Sequence, residues 1–477
     1  MIKTIQARAE ILGRSSLFKN SSWGIIAQAS QTLFITLFFI IVARIYSTEI
    51  FAAYIIANIL YQLVSAFSTM GLSPWFIREL SGPVHDNRFV NSFFRLQLWL
   101  GVAFYLVSIG IGFTLYDDKL TRVITMLFGV NIIFDNIINV VKCLNIAYND
   151  QKKTFLILSI ESFLKFLAAA ALFIYPFSIE ILAFVLIVIR FVSLNLFLKM
   201  GASVEVSMNT IRQSRINYDT IKSVIFSNWP FIIIGGISII NWRLANIVIS
   251  KTLGRAEVAN YEIAYKVFSI AQIIPIIIST TVFPKIVKLY SSNELSSFKS
   301  FYQRVHIYYM FFGLVAFTFA YSFSNSLIPW LFGTDYLDSV QLTQQMFFTI
   351  LVFPTALLQA NVLVAMRAER YDMILNVVAL IVNALICIIG IHYIRSVFVV
   401  NVAIFSSFLL FRILQDVYLI KRGVSTAAEA FSFYTASAIL VTSYVWLTSF
   451  VNIYLLFVTF WLFVIIIIVK TKKIHFR

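Results

Sequence analysis

NWRLANIVISKTLGRAEVANYEIAYKVFS, residues 241–269, sits between two runs that read as membrane: FIIIGGISII (231–240) before it and IAQIIPIIIST (270–280) after it. Arg243, Glu262 and Lys266 lie inside or at the edges of these apolar runs. A charge at the bilayer centre costs roughly 2.5–3.5 kcal/mol even on the mildest insertion scale. Three charges in so short a stretch ask for a polar surrounding within the membrane.

The rest of the chain puts that stretch in context. The protein has 477 residues, of which 60% are hydrophobic and 12% charged. That balance excludes an ordinary soluble domain. Apolar runs of about 20 residues recur along nearly the whole length, each long enough to cross a hydrocarbon core of about 30 Å. The fold class is therefore an all-α polytopic membrane protein. The N-terminal MIKTIQARAEILGRSSLFKN is basic and too poor in apolar residues for the h-region of a cleavable signal. Cys143 and Cys387 fall in or near spans with neither disulfide nor metal spacing. His85, His306, His392 and His475 are scattered, which suggests no metal site and no histidine-centred catalysis.

We expect about fourteen spans, near 22–45, 49–71, 91–114, 122–146, 154–175, 178–199, 223–250, 258–283, 304–330, 340–365, 372–393, 396–420, 430–450 and 452–470. The formal net charge of +16 follows from topology rather than from a nucleic-acid partner. With the N-terminus inside, about 26 Lys and Arg fall in inside loops and span ends, and about six fall outside. The inside set runs from Lys3, Arg8, Arg14 and Lys19 to Lys470, Lys472, Lys473 and Arg477. The outside set is Arg44, Lys119, Arg122, Lys251, Arg255 and Arg395. Both termini are then cytoplasmic.

The longest inside loop, about residues 200–222, divides the spans into six and eight. The two parts look related. SSWGIIAQ around Trp23 resembles SNWPFIII around Trp229, and FAAYIIANILYQLVS (51–65) resembles VANYEIAYKVFSIAQ (258–272). Tyr54-x-x-Ala57 aligns with Tyr261-x-x-Ala264 at an offset of about 207. An even number of spans per repeat inserts both repeats the same way, which predicts a pseudo-two-fold axis along the membrane normal and a central cavity. The expected division is a six-helix lobe over 1–205, a second over 206–425, and a two-helix hairpin with a basic tail over 426–477.

Polar residues follow helical spacing on particular faces. The second span carries Tyr54, Asn58, Tyr61, Gln62, Ser65 and Thr69; the eighth carries Glu262, Tyr265, Lys266, Ser269 and Gln272. At the repeat offset these two stripes are symmetry mates. The seventh span carries Gly236, Arg243, Asn246 and Ser250, and the fourth carries Asn131, Asp135, Asn139 and Lys142. Glu161 and Lys165 form an i,i+4 pair on the fifth span, and Arg190 stands alone in FVLIVIRFVSLNLF (184–197) on the sixth. Plainer roles compete with a cavity at each position. Glu161–Lys165 and Glu262–Lys266 are also intrahelical pairs that lower the cost of insertion. Asn and Gln also join helices by hydrogen bonds worth roughly 0.6 kcal/mol each. Arg190 has a snorkelling alternative, and Arg78, Lys142 and Arg412 lie near inside span ends, where headgroups are within reach. Arg243 has no carboxylate at i±3 or i±4, so a polar cavity is the stronger reading there.

ARIYSTEIFAAY (43–54), STMGLSPWFIREL (68–80), SKTLGRAEVANYEIAYKVFS (250–269) and NVLVAMRAERYDMILNVVALIVNALICIIG (361–390) together resemble polysaccharide flippases of the Wzx type. The likeness covers most of residues 15–420 and consists of small residues and aromatics at span ends. It implies membership of the superfamily that also holds lipid II flippases and multidrug and toxin extrusion transporters. It implies two six-helix lobes working by alternating access. The implied cargo is an undecaprenyl-pyrophosphate-linked oligosaccharide, such as an O-antigen repeat unit, turned from the cytoplasmic to the periplasmic leaflet of a bacterial inner membrane. In that reading Arg243, Lys266 and Arg190 meet the anionic head group, and Tyr54, Asn58, Gln62, Tyr265 and Gln272 meet sugar. Asp135, Glu161, Lys165, Glu262 and Asn246 complete the expected cavity lining. No cofactor is expected, with H+ or Na+ coupling left open. One departure stands out: Ala245 occupies the position where many relatives have an Asp two residues after the arginine.

A cation-coupled drug exporter of the same fold is the nearest rival, and Asp135, Glu161 and Glu262 would serve it. A membrane glycan polymerase or ligase is disfavoured by short outside loops and by the lack of a paired-carboxylate or His-centred constellation. A major-facilitator transporter lacks its loop motif in GLSPWFIRELSGPVHDNRF (71–89). A channel is disfavoured because the stripes differ between lobes. No Gly-x-x-x-x-Gly-Lys-Ser/Thr loop is present, so direct use of ATP is not expected. The lipid-linked glycan, the bilayer and other polysaccharide-assembly membrane proteins are the expected partners, with no nucleic acid.

Overall fold

In the computed structural model the described residues are 16–80, 87–148, 150–201, 240, 242–292 and 294–475. Among them there is no strand, and twelve helices are long and apolar enough to cross a membrane. Most of the seventh expected span, including Trp229 and Gly236, and the central loop lie outside the described residues. The fourteenth expected span contributes a shorter apolar helix, Ile453–Val464.

The chain divides into two compact units, residues 1–250 and 251–477. The expected lobe boundary at 205/206 falls outside the described residues. The described end of the seventh helix, 242–250, goes with the first unit, where the Ser250 hydroxyl lies 2.6 Å from the Tyr116 hydroxyl. In the first unit α1 is Ser16–Ile45, α2 Thr48–Ser68, α3 Ser73–Leu80, α4 Asn87–Leu115, α5 Lys119–Ala147, α6 Gln151–Ala170 and α7 Ile179–Leu196. In the second α8 is Arg255–Ser291, α9 Leu295–Phe332, α10 Asp338–Met346, α11 Phe353–Ala365, α12 Glu369–Ile394, α13 Phe398–Lys421, α14 Ala427–Leu447 and α15 Ile453–His475. Gly254, at φ 132°, precedes α8 in a conformation that side chains disfavour.

The units repeat one packing scheme. In the first, α2 packs on α5 and α4, α4 on α5, α7 on α5 and α6 on α7. In the second, α8 packs on α11 and α9, α9 on α11, α13 on α11 and α12 on α13. The positions that align in sequence are buried in both: Phe51 and Val258, Tyr54 and Tyr261, Ile56 and Ile263, Ala57 and Ala264. Gly101 on α4 and Gly313 on α9 are each pressed against the backbone of a neighbouring element. A Cβ at Gly101 would fall 2.9 Å from the Ile133 Cα of α5, and one at Gly313 2.8 Å from the Ile350 carbonyl. Small residues at these contacts let backbones approach, as membrane helix packing favours.

Outward faces are apolar. On α7, Ile181, Phe184, Val188 and Phe191 are exposed while Leu182, Leu186, Ile189 and Ser193 are buried, the 3.6-residue period of a helix with one face to hydrocarbon. The last two helices dock on α9 through polar contacts: Ser322 to Tyr444 and Trp461 Nε1 to Thr318 Oγ1 at 2.9 Å. Helices α8 and α9 have 37 and 38 residues. At 1.5 Å per residue each is about 55 Å long, well beyond a hydrocarbon core of about 30 Å. Their shared end carries Lys285, Lys288, Lys299 and Arg304 and is pinned by the Tyr290 and Phe298 rings, 5.5 Å apart.

Candidate functional site: a charged network in each unit

The register of α7 turns Arg190 onto its buried face, between Leu186 and Ser193. There it meets carboxylates from two other helices. Its Nε donates to Asp135 Oδ1 of α5 at 2.8 Å, and its Nη2 donates to the same oxygen. Its Nη1 donates to Glu161 Oε2 of α6 at 2.5 Å. Lys165 Nζ lies 2.6 Å from Glu161 Oε1, one turn along α6. Tyr61 of α2 donates to Asp135 Oδ2, and Ser65 donates to it at 3.3 Å. Lys142, two turns along α5, lies within electrostatic range of Arg190, Asp135 and Glu161. Two carboxylates thus face two directly bonded cations. The exposures are 13% for Arg190, 15% for Asp135 and 4% for Glu161. The planar guanidinium fork serves both acids at once, which a lysine's point charge does not. A neutral, fully bonded cluster is the form in which such charges survive in an apolar medium.

The expected intrahelical pair Glu161–Lys165 forms. Arg190 is not a solitary cation: it is the hub of four helices. The second-span stripe splits. Tyr61 and Ser65 turn to Asp135, and Ser68 donates to Asn136 Oδ1 at 2.6 Å. Tyr54 is 6% exposed, edge-on to Phe128 at 5.3 Å. Asn58 and Gln62 are half-buried. Of the fourth-span stripe, Asn139 donates to Ser73 at 2.7 Å and Asn131 is buried. Arg243, Tyr265 and Lys266 are half-buried, whereas Asn246, Glu262 and Gln272 are buried.

The second unit holds a network that the sequence did not single out. Arg412 of α13 is fully buried rather than at a headgroup. Its Nη1 donates to Thr355 of α11, and its Nη2 lies 3.0 Å from His306 Nε2 of α9. Its guanidinium stacks over the Phe433 ring of α14, 3.3 Å from the centroid. Asp416, one turn on, accepts from Gln359 of α11 and Tyr434 of α14, both at 2.5 Å. Arg190 and Arg412 both sit on the sixth helix of their packing scheme. The i,i+4 spacing of Arg412 and Asp416 was the available signal.

Among the described residues, twelve apolar helices, arranged as two repeats of one packing scheme with polar networks buried in each, define a multi-pass membrane protein. Solved structures carry the same fold. The lipid II flippase MurJ, in an inward closed conformation, matches with a TM-score of 0.73 over 94% of this chain and 98% of its own, at 14% identity. An inward-facing multidrug resistance MATE family transporter of the MOP superfamily matches with 0.62 over 86% and 96%, at 13% identity. A MOP superfamily transporter from Pyrococcus furiosus Vc1 matches with 0.55 over 84% and 94%, at 13% identity. No curated protein matches by sequence. By its sequence pattern over residues 41–341, the chain belongs to the polysaccharide biosynthesis protein family.

Proposed function

We propose that the protein is a flippase that moves a polyprenyl-pyrophosphate-linked oligosaccharide, an O-antigen unit or a similar repeat, from the cytoplasmic to the periplasmic leaflet of a bacterial inner membrane. The observation that carries this reading is the pairing of a polysaccharide biosynthesis family with a flippase-and-transporter fold. The family supplies the cargo and the fold supplies the action. No catalytic step is assigned to the chain.

The two networks refine which cations serve the cargo. Arg190 and Arg412 are committed to acids of their own units. The head-group role is assigned to Arg243 and Lys266, on the seventh and eighth helices, for their place on the polar stripes of those helices and their half-buried positions. A cation there offsets the cost of carrying a pyrophosphate through a low-dielectric region by Coulomb attraction and charge-assisted hydrogen bonds. Asn58, Gln62 and Tyr265, also half-buried, are suited to sugar. If transport is coupled to H+ or Na+, the buried carboxylates Glu262 and Glu161, with Asp135 beside it, are the candidates, and the ion would have to compete with the bonds Asp135 and Glu161 already make to Arg190. The termini and the basic loops lie in the cytoplasm.

The test is deletion of the gene in its host, complementation with wild type, Arg243→Ala or Lys266→Ala, and measurement of lipid-linked glycan on each face of the membrane. The reading expects single-repeat glycan to accumulate facing the cytoplasm and wild type alone to clear it fully. Glycan that reaches the periplasm unpolymerised in the deletion strain assigns the protein to a later step and sinks the proposal.

A further inference from the structure

A cavity of about 420 Å³ lies in the second unit where α14 crosses α9 and α13. Its floor is Arg412 and Asp416, its rim is Glu429 and Ser432, and Ile307 and Met310 of α9 form an apolar wall. Two polar atoms on its lining residues lack a hydrogen-bond partner among the described residues: Arg412 Nε, which can only donate, and Ser425 Oγ, which can accept from a ligand's N–H. The first lies 3.6 Å from Asp416 Oδ2, beyond hydrogen-bond reach.

The charge of this lining follows from geometry. Arginine only donates, so His306 Nε2 accepts from Arg412 and the imidazole is neutral. Asp416 and Glu429 then outnumber Arg412 by one. Arg304, the nearest further cation along α9, points back to the Ser300 carbonyl and lines a separate depression with Lys285. An anionic head group is therefore disfavoured and an ammonium group favoured. Beside the polar rim of Gln303, Glu429 and Ser432 the surface is apolar: Ile307 is 57% exposed and Phe431, next to Ser432, 71%. An occupant entering from the bilayer thus needs an amine head and an aliphatic tail.

We propose that this cavity binds the head group and first chain carbons of an amine-bearing amphiphile, with the ammonium between Glu429 and Asp416 and the chain along Ile307 and Met310. The site lies wholly within the second unit and stands whatever the cargo is. Its occupant wedges α14 against α9 and α13.

The test is native mass spectrometry of the full chain released from detergent, titrated with phosphatidylethanolamine, phosphatidylglycerol, dodecylamine and dodecanol. Phosphatidylethanolamine is expected to be retained about tenfold over phosphatidylglycerol, and the preference to shrink about fivefold or more in Glu429→Gln. Because Glu429 also caps α14, two further variants fill the cavity and leave the cap intact: Met310→Trp from the wall, and Ser432→Trp from the exposed rim. Both are expected to abolish retention. Retention of phosphatidylethanolamine identifies a membrane lipid as the occupant; retention of dodecylamine without it identifies a soluble cationic amphiphile. Equal retention of both phospholipids with dodecylamine no better than dodecanol, or binding unchanged by both tryptophan variants, overturns the proposal.

Discussion

Arg190 bridges Asp135 and Glu161 from three directions of packing, and its removal leaves two buried carboxylates with one remaining direct cation, Lys165. Breaking a buried ion pair by deleting one partner costs about 3–5 kcal/mol. Arg190→Gln is therefore expected to lower the melting temperature of the detergent-solubilised protein sharply, with Asp135→Asn in the same chain restoring part of it. An unchanged melting temperature with lost glycan export would instead make Arg190 a cargo contact. For Arg243→Gln the expectation is a fall in export larger than any loss of stability accounts for. At this scale the sequence was partly legible. Glu161–Lys165 could be read directly, because four residues along a helix are neighbours. Arg190–Asp135 could not, because that pair depends on how α7 lies on α5. Arg412 was misread for the same reason: closeness to a span end in sequence says nothing of the α14 aromatic ring laid over it.

Gly101 and Gly313 each face backbone rather than a side chain at under 3 Å from the Cβ position. Gly101→Val and Gly313→Val each force a side chain against backbone of the facing element, where nothing flexible yields, at an expected cost of about 1–3 kcal/mol. Gly110→Val, also on α4 but with nothing within 4 Å of its Cβ position, is expected to leave stability unchanged. Thermal unfolding of the three variants side by side checks this. The elements themselves were well legible. Long apolar runs set the spans, and the alternation of exposed and buried residues on α7 follows directly from its sequence. The short α3 and the break between α10 and α11 were not. Each is a turn-scale departure inside an apolar run, and hydropathy averaged over about 20 residues passes over it.

For the whole molecule, the distribution of Lys and Arg predicts which loops face the cytoplasm. In a chain with Cys143 and Cys387 replaced by Ser, a cysteine at Asp335 is expected to react with a membrane-impermeant maleimide added to intact cells, and one at Lys421 only after lysis. Both positions are exposed. Labelling of Lys421→Cys in intact cells would reverse the orientation and with it the direction of transport. The repeat was legible because equivalent positions are buried in both units, and burial restricts residue type most strongly.

The long α8–α9 pair has a practical consequence. The outward faces of the spanning helices are apolar and offer a soluble probe little to hold. The part of these two helices beyond the expected spans, 284–291 and 295–303, is roughly 12 Å long at 1.5 Å per residue and forms a basic prong clamped at its tip by Tyr290 and Phe298 and along its side by Lys285 over the Phe301 ring. Both helices continue from the prong into the spans, α8 through Pro284 at the junction, so a rigid binder raised against the prong would be a handle on the second unit, as a tiller is on a rudder.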